Sequence, residues 1–247
     1  MSLPVHVVED LDSATLGSEV EVRGDEAHHA VAVRRMTPGE RVVLTDGRGA
    51  SVTGPVSSTG KKVFTVTVEE RHSVQHPEPR FTVVQALPKG DRGELAVEVL
   101  TEVGVDTVVP WAASRSVAVW RGERAVKSHA KWASTAREAA KQSRRVWHPQ
   151  VASLATTAEV LQLVAEAEVA LVLHEEATEP LAAVPVPLTG RILVVVGPEG
   201  GVAPDEVEQF RAAGAYVVRL GSEVLRTSTA GVVAMGALLA RTPRWGA

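Results

Sequence analysis

The sequence predicts a mixed α/β protein in two parts, a small N-terminal β-barrel followed by a larger parallel α/β sheet. Three observations carry this. Up to about residue 75, β-branched residues alternate with polar ones in short runs closed by turns. His76-Pro77-Glu78-Pro79 then sets two prolines one residue apart, which no helix or strand carries through. Beyond them, continuous apolar runs of strand length alternate with helical patterns, as in sheets covered on both faces.

In the first part (1–75), Ser18–Arg23, Arg41–Thr45 and Lys61–Val68 read as strands, with Asp46-Gly47 and Thr59-Gly60 supplying turns. Asp25–Met36 reads as a helix with Asp25 as N-cap, ended by Pro38-Gly39. In the second part (79–247), the predicted strands are Arg80–Leu87, Val105–Pro110, Val169–Leu173, Arg191–Val196 and Ala215–Leu220. Helices are expected after Lys89-Gly90-Asp91 through Val103, over Lys127–Arg145, over Pro204–Ala213 and over Ala230–Leu239. Leu95, Val99 and Val103 recur every four residues on the first of these and mark its apolar face. Thr227 or Ser228 is the expected cap of the last.

Composition removes several chemistries. The 247 residues include no cysteine, so disulfides, thiolate nucleophiles and cysteine-based metal sites are excluded. No apolar run approaches the ~18 residues of a membrane span, and the N-terminus lacks the basic and apolar regions of a secretory signal. A cytoplasmic location is expected. Charge is uneven: residues 1–77 carry a net of −3, residues 111–148 a net of +7, and the whole chain −4. The basic segment also holds Trp111, Trp120, Trp132 and Trp147. Cations beside aromatic faces suggest an RNA or phosphate surface, against the alternative of a solvated helix with tryptophans anchored in the core.

Several apparent motifs fail. Gly54–Lys62 has five residues between its glycines where a phosphate loop needs four, and Lys62 where a hydroxyl should bind magnesium. His28-His29 points two ways on a helix, and His174-Glu175-Glu176 lacks the second histidine of a zinc-protease motif. No metal is expected.

The informative stretch is Arg191–Leu239. Strand Ile192–Val196 runs into Gly197-Pro198-Glu199-Gly200-Gly201, and a second strand ends at Leu220-Gly221 before the loop Ser222–Ser228. Two glycine-bearing loops at the C-terminal ends of sheet strands are where α/β proteins form ligand crevices. Asp205 and Glu206, in the first turn of the helix after the first loop, already offset its positive dipole end. A neutral or cationic ligand therefore fits better than a phosphate.

These two motifs resemble the ribosomal RNA small subunit methyltransferase E family, of the SPOUT class of knotted methyltransferases. The first is Val196-Gly197-Pro198-Glu199-Gly200-Gly201 with Glu206; the second is Leu220-Gly221 with Leu225-Arg226-Thr227-Ser228-Thr229-Ala230. The likeness extends to Lys89-Gly90-Asp91, Thr101–Val105, Arg115-Ser116, Gln142–Arg145, His28-His29, Arg34–Met36 and Asp46-Gly47. It implies a PUA-like barrel, a deep trefoil knot in the C-terminal domain and a homodimer. It also implies S-adenosylmethionine as cofactor and methylation of N3 of one uridine near the 3′ end of 16S ribosomal RNA in the 30S subunit.

On this resemblance the cofactor is held by Leu173, His174, Gly197, Pro198, Glu199, Gly200, Gly201, Leu220, Gly221, Val224, Leu225, Arg226 and Thr227. RNA falls to His28, Arg34, Arg35, Lys89, Arg115, Arg144 and Arg145. Arg226 is the candidate catalytic residue, stabilising a uridinate; the alternative is an ion pair with Glu199 or Glu223. No general base stands out. Three positions depart from the family pattern: Ser228 where Glu often stands, Val99 in place of a lysine, and Ala203 in place of a Ser or Thr cap. Rival readings are a SPOUT enzyme acting on a ribose 2′-hydroxyl or on transfer RNA, and a non-catalytic ribosome-assembly factor.

Overall fold

The computed structural model describes residues 3–246. Two compact units result. One runs up to His76 and takes in Ala140–His148; the other comprises Pro77–Ala139 and Pro149 to the C-terminus.

The first unit is a six-stranded sheet. Its strands are β1 (Val5–Val7), β2 (Glu19–Arg23), β3 (Arg41–Thr45), β4 (Ala50–Gly60), β5 (Val63–Thr67) and β6 (Glu70–Ser73). The order is β1-β3-β4-β5-β2, with β6 also paired to β4. Long β4 slips register between Val56 and Ser58, so one strand serves three partners. The near-miss phosphate loop at Gly54–Lys62 therefore lies within β4 and its turn into β5. Val22, Val42, Leu44, Val52, Val56, Phe64 and Val66 form the core.

The helix expected over Asp25–Met36 is shorter. Helix α1 (Gly24–His28) widens into a π turn over His29–Val33, and Arg23, not Asp25, is its N-cap. Met36 N–H reaches back to the Ala30 carbonyl, which closes the segment.

Residues 140–148 add to this unit. Gly49 N–H donates to the Val146 carbonyl at 2.8 Å, and Trp147 Nε1 donates to the Val74 carbonyl at 2.9 Å. Gly49 sits at φ +101°, where a Cβ would come within 2.6 Å of the Trp147 ring, so only glycine fits. Lys141 and His6 both bond the Glu26 carboxylate, at 2.9 Å each. Burial opposes ionisation of Glu26, but these two partners outweigh it and hold its pKa down at about 2.

The second unit is a seven-stranded, wholly parallel sheet. Its strands are β7 (Arg80–Ala86), β8 (Thr107–Trp111), β9 (Gln150–Val151), β10 (Val169–Leu173), β11 (Glu179–Pro180), β12 (Arg191–Val196) and β13 (Tyr216–Arg219). They lie in the order β11-β13-β10-β12-β7-β8-β9. Helices α2 (Arg92–Val103), α3 (Gly122–Gln142), α4 (Thr157–Ala165), α5 (Pro204–Ala212) and α6 (Thr227–Leu239) follow in chain order.

Successive side chains of a strand face opposite ways, so β12 feeds two cores. Ile192, Val194 and Val196 pack with residues of α2 and α6 such as Leu100, Ala234 and Leu238. Leu193 and Val195 pack with Val160 and Val164 of α4 and with Val207 and Phe210 of α5. The buried stripe of α2 is Gly93, Ala96, Val97, Leu100 and Thr101. Leu95, expected to face inward, is 45% exposed.

Helix α3 starts and stops earlier than Lys127–Arg145 predicts, and the N-cap of α6 is Arg226 rather than Thr227 or Ser228. Two tryptophans of the basic segment, Trp111 and Trp132, are core residues, the alternative the sequence leaves open, and neither offers a face for base stacking. Trp111 is fully buried, edge-on to Phe210, and Trp132 is edge-on to Trp120. Cations can cover such a helix without any aromatic platform.

Candidate functional site

The loops after β10, β12 and β13 enclose a cavity of about 310 Å³ at the C-terminal edge of the sheet. They bring together all the sequence-predicted ligand residues but one: Leu173 and His174, Gly197, Pro198, Glu199 and Gly201, and Leu220, Gly221 and Val224–Thr227. The exception is Gly200. Its carbonyl accepts from Arg115 Nη1 at 3.2 Å, and it does not line the cavity.

The first glycine loop is tied down at every step. Gly201 N–H donates to the Pro198 carbonyl at 2.9 Å, and Gly201 takes φ +71°, so the turn needs a residue without Cβ. Glu199 Oε1 accepts Lys89 N–H at 3.0 Å, which brings the β7–α2 connection against the loop. The Gly197 carbonyl accepts from Thr227 Oγ1 at 2.7 Å, which fixes the start of α6 against it.

The second loop differs. Gly221–Arg226 are all exposed, with Val224 at 77%. Arg226 is held through its backbone: its carbonyl accepts Thr229 N–H and Ala230 N–H, both at 2.9 Å, as α6 begins. Its guanidinium lines the cavity and makes no ion pair with Glu199, Glu223 or any other described residue. On the third wall, His174 Nδ1 accepts Glu176 N–H at 3.2 Å, so the neutral ring carries its proton on Nε2.

The acidic reading of α5 needs correction. Glu206 does not face the cavity; it is buried, accepting from Ser114 N–H (3.0 Å), Ser114 Oγ (2.9 Å), Thr157 Oγ1 (2.9 Å) and Ala203 N–H (3.3 Å). The carboxylates that do line the cavity are Glu175, Glu199 and Glu223, set against the cations Arg92, Arg219 and Arg226. Sequence reasoning had not placed Glu175, Arg92 or Arg219 there. Arg92 directly follows Lys89-Gly90-Asp91, and that adjacency to a motif was the available signal.

The residues expected to meet RNA are spread. His28, Arg34, Arg35, Lys89, Arg115 and Arg144 are exposed, and Arg145 is half-buried. Arg34 and Arg35 close the π turn of the first unit, Arg35 at φ +55°. Arg144 and Arg145 border a second hollow of about 420 Å³ in that unit, floored by Val5, Val43 and Val146. Among the described residues no cluster of three metal-binding side chains occurs, and no helix is long and apolar enough to cross a membrane.

Comparison with known proteins bears on this geometry. Residues 75–239 match the family model of an RNA methyltransferase domain, and residues 22–69 that of an RNA methyltransferase PUA domain. A ribosomal RNA small subunit methyltransferase E from Mycobacterium bovis is 46% identical over 94% of this chain and 90% of its own. The Bacillus subtilis protein of the same name is 30% identical, with 90% of each chain covered. In three dimensions, the Neisseria gonorrhoeae protein of that name, solved with S-adenosyl methionine bound, superposes with a TM-score of 0.86. The two are 25% identical, with 98% of each chain covered.

Proposed function

Because the chain belongs to the ribosomal RNA small subunit methyltransferase E family, we propose that it methylates N3 of one uridine near the 3′ end of 16S ribosomal RNA, with S-adenosylmethionine bound in the glycine-loop cavity. The observation that carries this reading is the unpaired guanidinium of Arg226, set on the wall of that cavity.

The cavity suits the cofactor chemically. Leu173, Val196, Val202, Leu220 and Leu225 offer apolar walls for an adenine ring, and the glycine loops offer close backbone groups. Glu175, Glu199 and Glu223 suit a ligand with positive charge. Bound there, S-adenosylmethionine supplies an electrophilic methyl group on a sulfonium centre.

The protein's own task is to present a nucleophile in line and manage charge. Uridine N3 attacks only once its proton has passed to solvent water, and the resulting anion spreads onto the flanking carbonyl oxygens. Arg226 meets that anion with a cation, and the attraction grows as the bound base and cofactor exclude water from the open loop. N3 lies on the Watson–Crick edge, so the target base is unpaired when it reacts. The PUA-like unit (1–75), closed as a barrel, holds the RNA through His28, Arg34 and Arg35. Arg144 and Arg145, in the segment that joins this unit, serve it too. Lys89 and Arg115 offer the RNA cations of their own, in the knotted catalytic domain formed by residues 79–247 apart from Ala140–His148.

The active form is a homodimer. The outer side of α6 supports this, since Val233 is 46% exposed beside exposed Ala237 on a helix apolar all round. Action on the 30S subunit makes the enzyme cytoplasmic.

The test is transfer of radiolabelled methyl from S-adenosylmethionine to unmodified 30S subunits, with naked 16S RNA and transfer RNA in parallel, followed by nucleoside analysis. Label as 3-methyluridine in 30S subunits is the expected result. Label on ribose or in transfer RNA would move the substrate, and no label despite cofactor binding would leave a non-catalytic assembly factor.

A further inference from the structure

One hydrogen bond removed from the cavity wall lies a side chain that the reading above does not use. Gln85, the penultimate residue of β7, is fully buried beside Val196 in the parallel ladder. Its Nε2 donates to the Thr227 hydroxyl at 3.0 Å and to the Ala86 carbonyl at 3.1 Å. Thr227 Oγ1 donates in turn to the Gly197 carbonyl. The direction of this chain is forced: carbonyl oxygens only accept, and a hydroxyl has one proton. Gln85 occupies the acceptor side of the Thr227 hydroxyl, which favours the rotamer that aims its single proton at Gly197.

The amide is retained at a cost. Gln85 Oε1 is buried with no partner among the described residues, and an unpaired buried acceptor forfeits its hydration. Packing alone would favour an aliphatic residue, as at neighbouring Val83 and Val84. What Gln85 adds is a link joining the end of β7, the start of α6 and the first glycine loop. Arg226 immediately precedes Thr227 in that link.

We propose that Gln85 is a positioning residue of the ligand cavity, which orients the Thr227 hydroxyl and through it the Gly197 carbonyl and the root of the Arg226 loop. The proposal rests on the reading of this cavity as the S-adenosylmethionine site. It concerns the full chain, so purified full-length protein is used throughout. Calorimetric titration with S-adenosylmethionine should give a dissociation constant about tenfold weaker for Gln85→Leu than for the unaltered protein. The double variant Gln85→Leu/Thr227→Val should bind no worse than Thr227→Val alone, because both break one link, and Thr227→Ser should restore binding to within about twofold. Unaltered affinity in Gln85→Leu, or losses that multiply in the double variant, would overturn the proposal.

A second readout separates this idea from the identity of the ligand. In ligand-free protein, Gln85→Leu should speed amide exchange in Gly197–Gly201 and the first turn of α6 while leaving α4 unchanged. Equal exchange would sink the positioning role. No binding by the unaltered protein would instead remove the cofactor assignment. Should Gln85→Leu not fold, Gln85→Glu serves in its place, since an ionised carboxylate cannot donate to Thr227. Its affinity should fall as pH rises while that of the unaltered protein stays flat, and parallel profiles would count against the link.

Discussion

The two glycine-bearing loops of the cavity are built on opposite plans. Gly197–Gly201 is bonded from inside and outside, by Thr227, Lys89 and Arg115, and Glu206 braces the residues after it. Gly221–Arg226 is exposed along its length and is held only where α6 begins. The difference assigns the two halves of the work. A pre-organised wall binds without further ordering cost, whereas an open wall spends part of its binding energy on becoming ordered. The cofactor is thus expected to draw most of its affinity from the first loop, with Leu220 and Leu225 beside the second adding apolar contact, and the reacting base to depend on Arg226.

The sharpest test of that division is Arg226→Ala. Turnover should fall by about a thousandfold, as when the charged partner of a developing anion is lost. Cofactor affinity, measured by calorimetry, should stay within about twofold. An equal loss of affinity would mean that the Arg226 side chain serves the cofactor rather than the reacting base.

Next in size is Glu206→Ala, which removes the buried carboxylate that Ser114, Thr157 and Ala203 all donate to. About 3 kcal/mol of stability should be lost, seen as a melting midpoint lower by about 6–12 °C. A shift within about 2 °C would show that the brace is dispensable.

A paired substitution then compares the loops directly. Gly201→Ala forces a Cβ into a left-handed turn at φ +71° and should weaken cofactor binding about fivefold. At Gly221 an added Cβ would meet Glu223 Oε2 only at an ordinary 3.5 Å, so Gly221→Ala should change binding by less than about twofold. Equal effects would erase the distinction between the two walls.

The smallest effect is expected outside both. Arg34→Ala should leave cofactor binding untouched and lower the salt dependence of RNA binding by about one unit of slope. An unchanged slope would exclude phosphate contact.

Legibility from the sequence tracked how local each signal was. Val169–Leu173 and Arg191–Val196 read as strands to the residue, because parallel strands covered on both faces are unbroken apolar runs. Helix α4 went unread although its capping box, Thr156 with Glu159, stands in the sequence. Strand β4 was obscured by Gly54-Pro55, which suggest a loop; Pro55 is accommodated opposite Arg41. At the site, the glycines showed themselves by composition. Arg92 and the inward turn of Glu206 did not, since both follow from contacts between segments far apart in sequence. Trp111 stayed ambiguous for the same reason: an indole looks alike in sequence whether it stacks on a base or packs edge-on against Phe210.

The membership of Ala140–His148 in the first unit has a consequence for how the chain is made. Synthesis proceeds from the N-terminus at about 5–20 residues per second. The strands up to Ser73 are therefore complete while Gly49 still lacks Val146 as acceptor and Glu26 still lacks Lys141. For roughly 4–14 s at that rate the sheet waits with a seam open, while the first strands of the second unit emerge behind it. A nascent chain released in that interval carries every strand of its first unit and still cannot finish it.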